Sequence, residues 1–253
     1  MLAAARHQAI VDAVQRERVV RISDLAAQLG VSLMTVRRDI EQLEEGGKLE
    51  RIHGGAKLPG DASTHEPGFE LKSTQLTAEK RAIAVEAAAL VHEGMAVGLG
   101  AGTTTWALAR ELAEGPRITV VTNSMRIADL FHPGGSTVIL IGGERTPSDA
   151  LVGPIATAAL KQLHLDLLFL GVHGMDAHAG FTTPNLLEAE TDRAFVAAAR
   201  RTVVLADHTK WGMLGISSIA AFDDVDEVIS DDGLSAEARR VLGERSKLRV
   251  VPV

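Results

Sequence analysis

The chain has 253 residues, enough for one large domain or two unequal ones with a buried core. It contains no cysteine, which excludes disulfides, thiolate metal sites and cysteine nucleophiles. Its 3% aromatic content, with no tyrosine, argues against base stacking on single strands as a main activity. The net charge of −7 excludes a general polycation, yet it divides unevenly: residues 1–57 carry nine Lys/Arg against eight Asp/Glu, and residues 58–253 carry seventeen against twenty-five.

Residues 1–20 place Arg6, Asp12, Arg16, Glu17 and Arg18 on a helical period, with no apolar signal core. The longest apolar run, 165–172, is broken by Asp166 and is too short to span a bilayer. A cytoplasmic protein with no membrane partner is expected.

Residues 22–46 carry the first motif. Ser23 is expected to cap a short helix that turns Leu25, Ala26 and Leu29 inward; Gly30 supplies a left-handed turn; Ser32 caps a second helix. In that helix Val36, Ile40 and Leu43 recur at i, i+4 and i+7, which makes a helix–turn–helix over a small shared core. At about 100° per residue, Met34 lies about 160° and Arg38 about 200° from Val36, on the outer face, with Thr35 and Arg37 flanking. Exposed arginines at that position suit a major groove. Residues 46–57 follow as a strand and a glycine turn, the wing of a winged helix. Lys48, Arg51, His53 and Lys57 are placed to follow a phosphate backbone, and Gly54 and Gly55 to allow close approach.

A turn-rich break spans 54–68. The expected division is a DNA-binding domain at 1–57, a linker at 58–74 and a larger domain at 75–253. In the last, apolar runs at 95–99, 118–122, 137–141, 167–172, 202–206, 225–230 and 248–251 alternate with amphipathic stretches at 78–92, 104–113, 124–131, 154–163, 187–200 and 235–243. Such alternation predicts an α/β fold with parallel strands.

Gly100, Gly102, Thr103, Thr104 and Thr105 follow a predicted strand and open a helix, a plausible phosphate cradle without the lysine of a P-loop. Thr122 and Asn123, Gly143, His173, and Asp207 with Lys210 close other predicted strands. In an open α/β sheet such ends share one crevice. Lys210 suits a phosphate, and Asp207 a sugar hydroxyl or that lysine.

The run from Leu25 to Glu44, with Thr35-Val-Arg-Arg-Asp39, and the following Leu49-x-Arg51-x-His53-Gly-Gly-Ala56 closely resemble the DeoR family of bacterial transcription regulators. Glu79-Lys-Arg81, Gly102-Thr-Thr104, Val120-Val-Thr-Asn123, Gly180-Phe-Thr182, Glu188-Ala189 and Asp207-x-x-Lys210-x-Gly212 resemble that family's sensor domain, akin to ribose-5-phosphate isomerases. The resemblance implies a regulator of double-stranded operator DNA, most often a repressor of a carbohydrate catabolism operon released by a phosphorylated sugar. It implies no cofactor and no catalytic residue. The family more often shows Ser-Ser-Lys-Phe where this chain has His208-Thr-Lys-Trp211, which leaves the sugar open. One helix–turn–helix covers a half-site, so a homo-oligomer is expected, a dimer or a tetramer.

Two other readings remain beside this one. An isomerase-like enzyme with an appended DNA-binding domain needs a base, for which Asp166, Asp176, Glu188 and Glu190 are candidates. A metal sensor would use His173, Asp176 and His178, but their spacing is loose, and no metal site is expected.

Overall fold

A computed structural model describes residues 3–17, 19–46, 48–52, 54–57, 68–132 and 134–253. They fall into two compact units, Met1–Ala62 and Ser63–Val253.

The first unit runs α1 (Ala3–Glu17), β1 (Val19–Arg21), α2 (Ile22–Leu29), α3 (Leu33–Glu45), β2 (Glu50–Ile52) and β3 (Gly55–Lys57). Val36, Ile40 and Leu43 of α3 pack with Leu25 of α2 and with Ile10 and Val14 of α1 in one small core. Gly30 adopts φ +65°, and Ser32 Oγ accepts the Thr35 N–H at 3.1 Å to start α3, as the sequence predicts. Ser23 does not cap α2. The helix begins two residues earlier than that cap would set, at the buried Ile22, whose N–H donates to Gly54 O at 3.0 Å. The wing turn satisfies that first-turn helix donor, so no hydroxyl is needed there, and Ser23 bonds Asp24 instead. The strands form an antiparallel sheet of order β1-β3-β2.

The second unit opens with α4 (Phe69–Ser73) and α5 (Thr77–Ala88). It continues with β4 (Ala96–Leu99), α6 (Thr103–Ala113), β5 (Thr119–Thr122), α7 (Met125–Ala128) and β6 (Thr137–Leu140). A hairpin of β7 (Glu144–Arg145) and β8 (Leu151–Val152) leads to α8 (Pro154–Leu160) and β9 (Leu167–Gly171). Then come β10 (Gly174–Asp176), β11 (Gly180–Thr183), α9 (Leu186–Ala198), β12 (Thr202–Leu205), β13 (Ser217–Ala220), β14 (Glu227–Asp231), α10 (Ala236–Arg245) and β15 (Lys247–Val251).

All seven apolar runs become strands of one parallel sheet, ordered β15-β14-β12-β9-β4-β5-β6. The central strands β9, β12 and β14 are buried on both sides, which is why they read as apolar runs, while the edge strand β6 keeps Ile139 and Leu140 exposed. On β9, Leu167 and Phe169 enter the core that holds Leu108 and Ile83, while Leu168 and Leu170 enter the opposite core with Phe195 and Phe181. Each fully buried side chain of this size contributes about 1.5–3 kcal/mol relative to exposure. Gly98 lies between β4 neighbours where a Cβ would stand 2.7 Å from Leu165 Cδ1. A second sheet, β10-β11-β13, lies outside the main one. Residues 69–73, read from the sequence as linker, form α4, whose Phe69 packs edge-on against Trp106 of α6. Among the described residues no helix is long and apolar enough to cross a membrane.

Candidate nucleic-acid interface and effector cleft

The outer face of α3 is built by what its inner face buries. Val36 and Ile40 are fully buried, so Met34, Arg37 and Arg38 stand exposed, Met34 at 70%. Met34, Thr35, Arg37 and Arg38 share a concave surface with Arg51 and Gly54 of the wing. Two acids share this surface. Glu41 faces Arg51, and Asp39 turns inward, accepting from Arg6 Nη2 at 2.8 Å and His7 Nε2 at 3.0 Å, which ties α1 to α3. Hydrogen bonding from Arg6, and then from His7, holds its carboxyl below the usual range despite burial. Arg37 and Arg38 are therefore the exposed charges of the first half of α3.

The wing residues divide. Lys48 is exposed, and Gly54 turns the chain at φ +80°. Gly55 is buried in the strand pairing, where a Cβ would stand 2.2 Å from Val20 O, so glycine there serves β1 and not the approach of DNA. Arg51 Nη1 bonds Glu41 Oε1 at 2.7 Å, a half-exposed pair that a phosphate can displace at little cost. The Ser32 hydroxyl is engaged in the cap and with Thr35 Oγ1 at 2.8 Å. His53 lies outside the described residues.

In the second unit, strand order reverses between β4 and β9: β5 and β6 extend the sheet one way, β12, β14 and β15 the other. Loops leaving the carboxyl ends of those two neighbours diverge, and a crevice opens between them. It encloses about 770 Å³ including its open mouth. Ala101 to Thr104 come from the end of β4, Gly171 to His173 from β9, Asn123 from β5 and Lys210 from the loop after β12. The first-turn N–H groups of α6 have no intrahelical acceptor and carry the positive end of its dipole. Asn123 braces this loop, Oδ1 accepting from Ala101 N at 2.9 Å and Nδ2 donating to Leu151 O at 3.2 Å. Lys72 and Lys210 add positive charge, and His173 an imidazole. Behind them Lys80 is buried, its Nζ donating to Lys72 O at 2.5 Å and Gln75 O at 2.8 Å. Burial pulls its pKa down to about 8, opposed by Asp207 and reinforced by Lys210 and Lys72.

The far end of the cleft has the opposite character. Glu188 and Asp192 lie one turn apart on α9. Glu188 accepts hydroxyls from Thr146 at 2.7 Å, from Thr183 at 3.2 Å and from Ser148. Burial, and then the charge on Glu188, push the Asp192 carboxyl well above the usual range. The site thus joins an anion-binding end to an end rich in hydroxyl and carboxyl groups.

Residues 6–61 match the DeoR-like helix-turn-helix domain, and residues 75–232 match the DeoR C terminal sensor domain. This chain belongs to the DeoR family. The HTH-type transcriptional regulator GlpR of Haloferax volcanii is 38% identical over 240 residues, covering 94% of each chain. The putative aga operon transcriptional repressor of Escherichia coli O157:H7 is 34% identical over 237 residues, 92% of this chain and 88% of its own. Ribose 5-phosphate isomerase A from Neisseria gonorrhoeae is far more distant: 18% identity over 52% of each chain, with a TM-score of 0.40. The DeoR-family protein is accordingly a DNA-binding transcriptional regulator.

Within this regulator the expected cleft residues separate into two groups. Gly102, Thr103, Thr104, Asn123, His173 and Lys210 line the cleft. Gly100, Thr105, Thr122, Gly143 and Asp207 are outside its lining. The hydroxyl of Thr105 turns back to Gly100 O at 2.6 Å, and that of Thr122 to Leu99 O at 2.6 Å, so both stitch backbone together. Gly100 and Gly143 are held by close packing: a Cβ would stand 2.9 Å from Leu170 Cδ1 and 2.3 Å from Val152 O respectively. Asp207 is buried and accepts the Thr209 N–H at 3.1 Å, capping the short 3-10 turn (His208–Lys210) that presents Lys210.

Of the acids weighed as bases, Asp166 accepts the Ala96 N–H, Asp176 accepts those of His178 and Ala179, and Glu190 is exposed; only Glu188 reaches the cleft. No three metal-ligating side chains converge among the described residues. Sequence reasoning missed Phe69, Lys72, Ser148 and Asp192. For Asp192 a signal existed, its i,i+4 spacing from Glu188. For Lys72 there was none.

Proposed function

We propose that this chain is a repressor of a carbohydrate catabolism operon, released from double-stranded operator DNA by a phosphorylated sugar that occupies the cleft. The single observation that carries this reading is the polarity of the cleft. A dianionic phosphate fits the start of α6 with Lys72 and Lys210, and sugar hydroxyls fit Glu188, Asp192 and the hydroxyls around them. Repression of an operon is what the name of the Escherichia coli relative states, and we extend that mode to this chain. Operator contacts are assigned to Met34, Thr35, Arg37 and Arg38, with Lys48, Arg51 and His53 along the backbone. Two copies would read the two halves of an operator, as a single module covers one half-site.

The test is titration of sugar phosphates and their neutral parents onto the protein–operator complex. Phosphate esters release the DNA and the neutral sugars do not, while Lys210→Ala keeps the operator and resists release. Equal effect of a sugar and its phosphate ester would overturn the assignment of the anion end.

A further inference from the structure

Gly68 to Thr74 belong to neither matched domain, since one ends at residue 61 and the other begins at 75. Yet α4, which fills this stretch, contributes Phe69 and Lys72 to the wall of the cleft. We propose that α4 is a latch read by the effector: Lys72 contacts the bound anion, and that contact fixes the chain at the point where it leaves for the DNA-binding unit. This rests on the reading of the cleft as an anion site.

Five residues cannot sustain a helix alone, so the position of α4 depends on its ties. Phe69 meets the Trp106 ring edge-on, centroids 6.0 Å apart, and the Arg126 guanidinium lies 4.3 Å over the Phe69 ring. Arg126 Nη2 also bonds Glu70 Oε1 at 2.6 Å, and Lys80 Nζ grips the carbonyl of Lys72. The same Arg126 bonds Asp149 Oδ2 at 2.6 Å. Asp149, at φ +66°, shapes the turn whose Ser148 bonds Glu188 on the far wall. One arginine thus ties the latch to both ends of the cleft.

Charge supplies the driving force. Lys210 and Lys72 both oppose the charge on the buried Lys80, while Asp207 and Glu79 favour it. Lys72 and Lys210 both line the cleft, so an anion bound there is attracted by both. A ligand shifts an equilibrium only through contacts that differ between the two states. The contact through Lys72 exists only when α4 is docked, so the effector binds the docked arrangement better. The ordered state of Gly68 then becomes part of the binding equilibrium.

Hydrogen exchange of the full chain tests this, with inorganic phosphate as the probe against chloride at equal ionic strength. Saturating phosphate should slow exchange in residues 69–76 by at least about fivefold, the low end of couplings between sites. Residues 101–106 serve as the internal reference for occupancy. In Lys72→Met, residues 101–106 should still be protected at higher phosphate while 69–76 are not, and Lys72→Arg should restore both. Protection of 101–106 with 69–76 unchanged in the wild type would overturn the latch and leave the cleft assignment standing. Absence of protection at 101–106 would overturn both. Thermal melts of the two variants verify that each is folded.

Discussion

Arg38→Ala separates reading from folding. Arg38 is exposed and about 200° around α3 from the buried Val36, so its loss should change folded stability by less than about 0.5 kcal/mol. A bidentate arginine–guanine pair is worth about 1–3 kcal/mol of discrimination. On the proposed two-fold operator, two copies would double this to about 2–6 kcal/mol, or roughly 30-fold to more than 10,000-fold in Kd. If Arg38 instead meets a phosphate, the substitution would weaken binding to all sequences alike and flatten the salt dependence by about one unit per arginine removed. The assay is fluorescence anisotropy, at two salt concentrations, on a duplex selected by the wild-type protein from a random library. Binding within about threefold of wild type at both salts, with an unchanged melt, would refute the assignment of this face.

Three further outcomes follow from other parts of the molecule. Ile40→Ala empties a fully buried site and should cost about 2–5 kcal/mol, much of the roughly 3–9 kcal/mol available to a unit of some 60 residues; calorimetry should show the DNA-binding transition fall and the sensor transition stay. Glu227 is buried and bonded by Arg249 at 2.8 Å and Lys247 at 3.2 Å as well as by Arg201, so Glu227→Gln should lose about 3 kcal/mol in urea melts. Burial pushes its carboxyl up, but Lys247 and Arg249 outweigh this and hold it below the usual value of 4.5. Its stabilisation is thus present above pH 4.5 and lost as pH falls through the lower folded value; a Gln variant with the same acid sensitivity as wild type would contradict this. His208 Nδ1 bonds Asp231 Oδ2 at 2.6 Å, which raises the imidazole above its ordinary 6.5; the clasp on the Lys210 loop is complete below 6.5 and lost as pH rises through the folded value, so phosphate affinity should decline across that window in wild type but not in Asp231→Asn.

The sheet and the helix–turn–helix are legible because their patterns are enforced by burial. Leu167 to Leu170 must be apolar at every position when both faces are covered, and Val36, Ile40 and Leu43 must share one face of α3. What stayed hidden depends on contacts distant along the chain. Nothing local marks Lys72 as a neighbour of Lys210, or Ser148 as a partner of Glu188. Thr105 and Thr122 have the composition of ligand contacts, but which way a hydroxyl turns is decided by the nearest backbone carbonyl. Ser23 has the composition of a cap, and the wing turn through Gly54 made it unnecessary. The five residues of α4 are too few to show a period, which is why the break in composition reads as linker as far as residue 74.

The pairing of β4 with β9 aligns Val97 with Leu167, and the crevice exists only once those strands meet. Contacts so far apart in sequence close slowly, whereas the first unit assembles from contacts within about sixty residues. During synthesis from the N-terminus, the helix–turn–helix can therefore fold while β9 is still inside the ribosome. A nascent chain gains its DNA-reading surface before it has any place to bind an effector. The order of the strands thus sets a time order on the two surfaces: the outer face of α3 can form before the crevice between β4 and β9 exists.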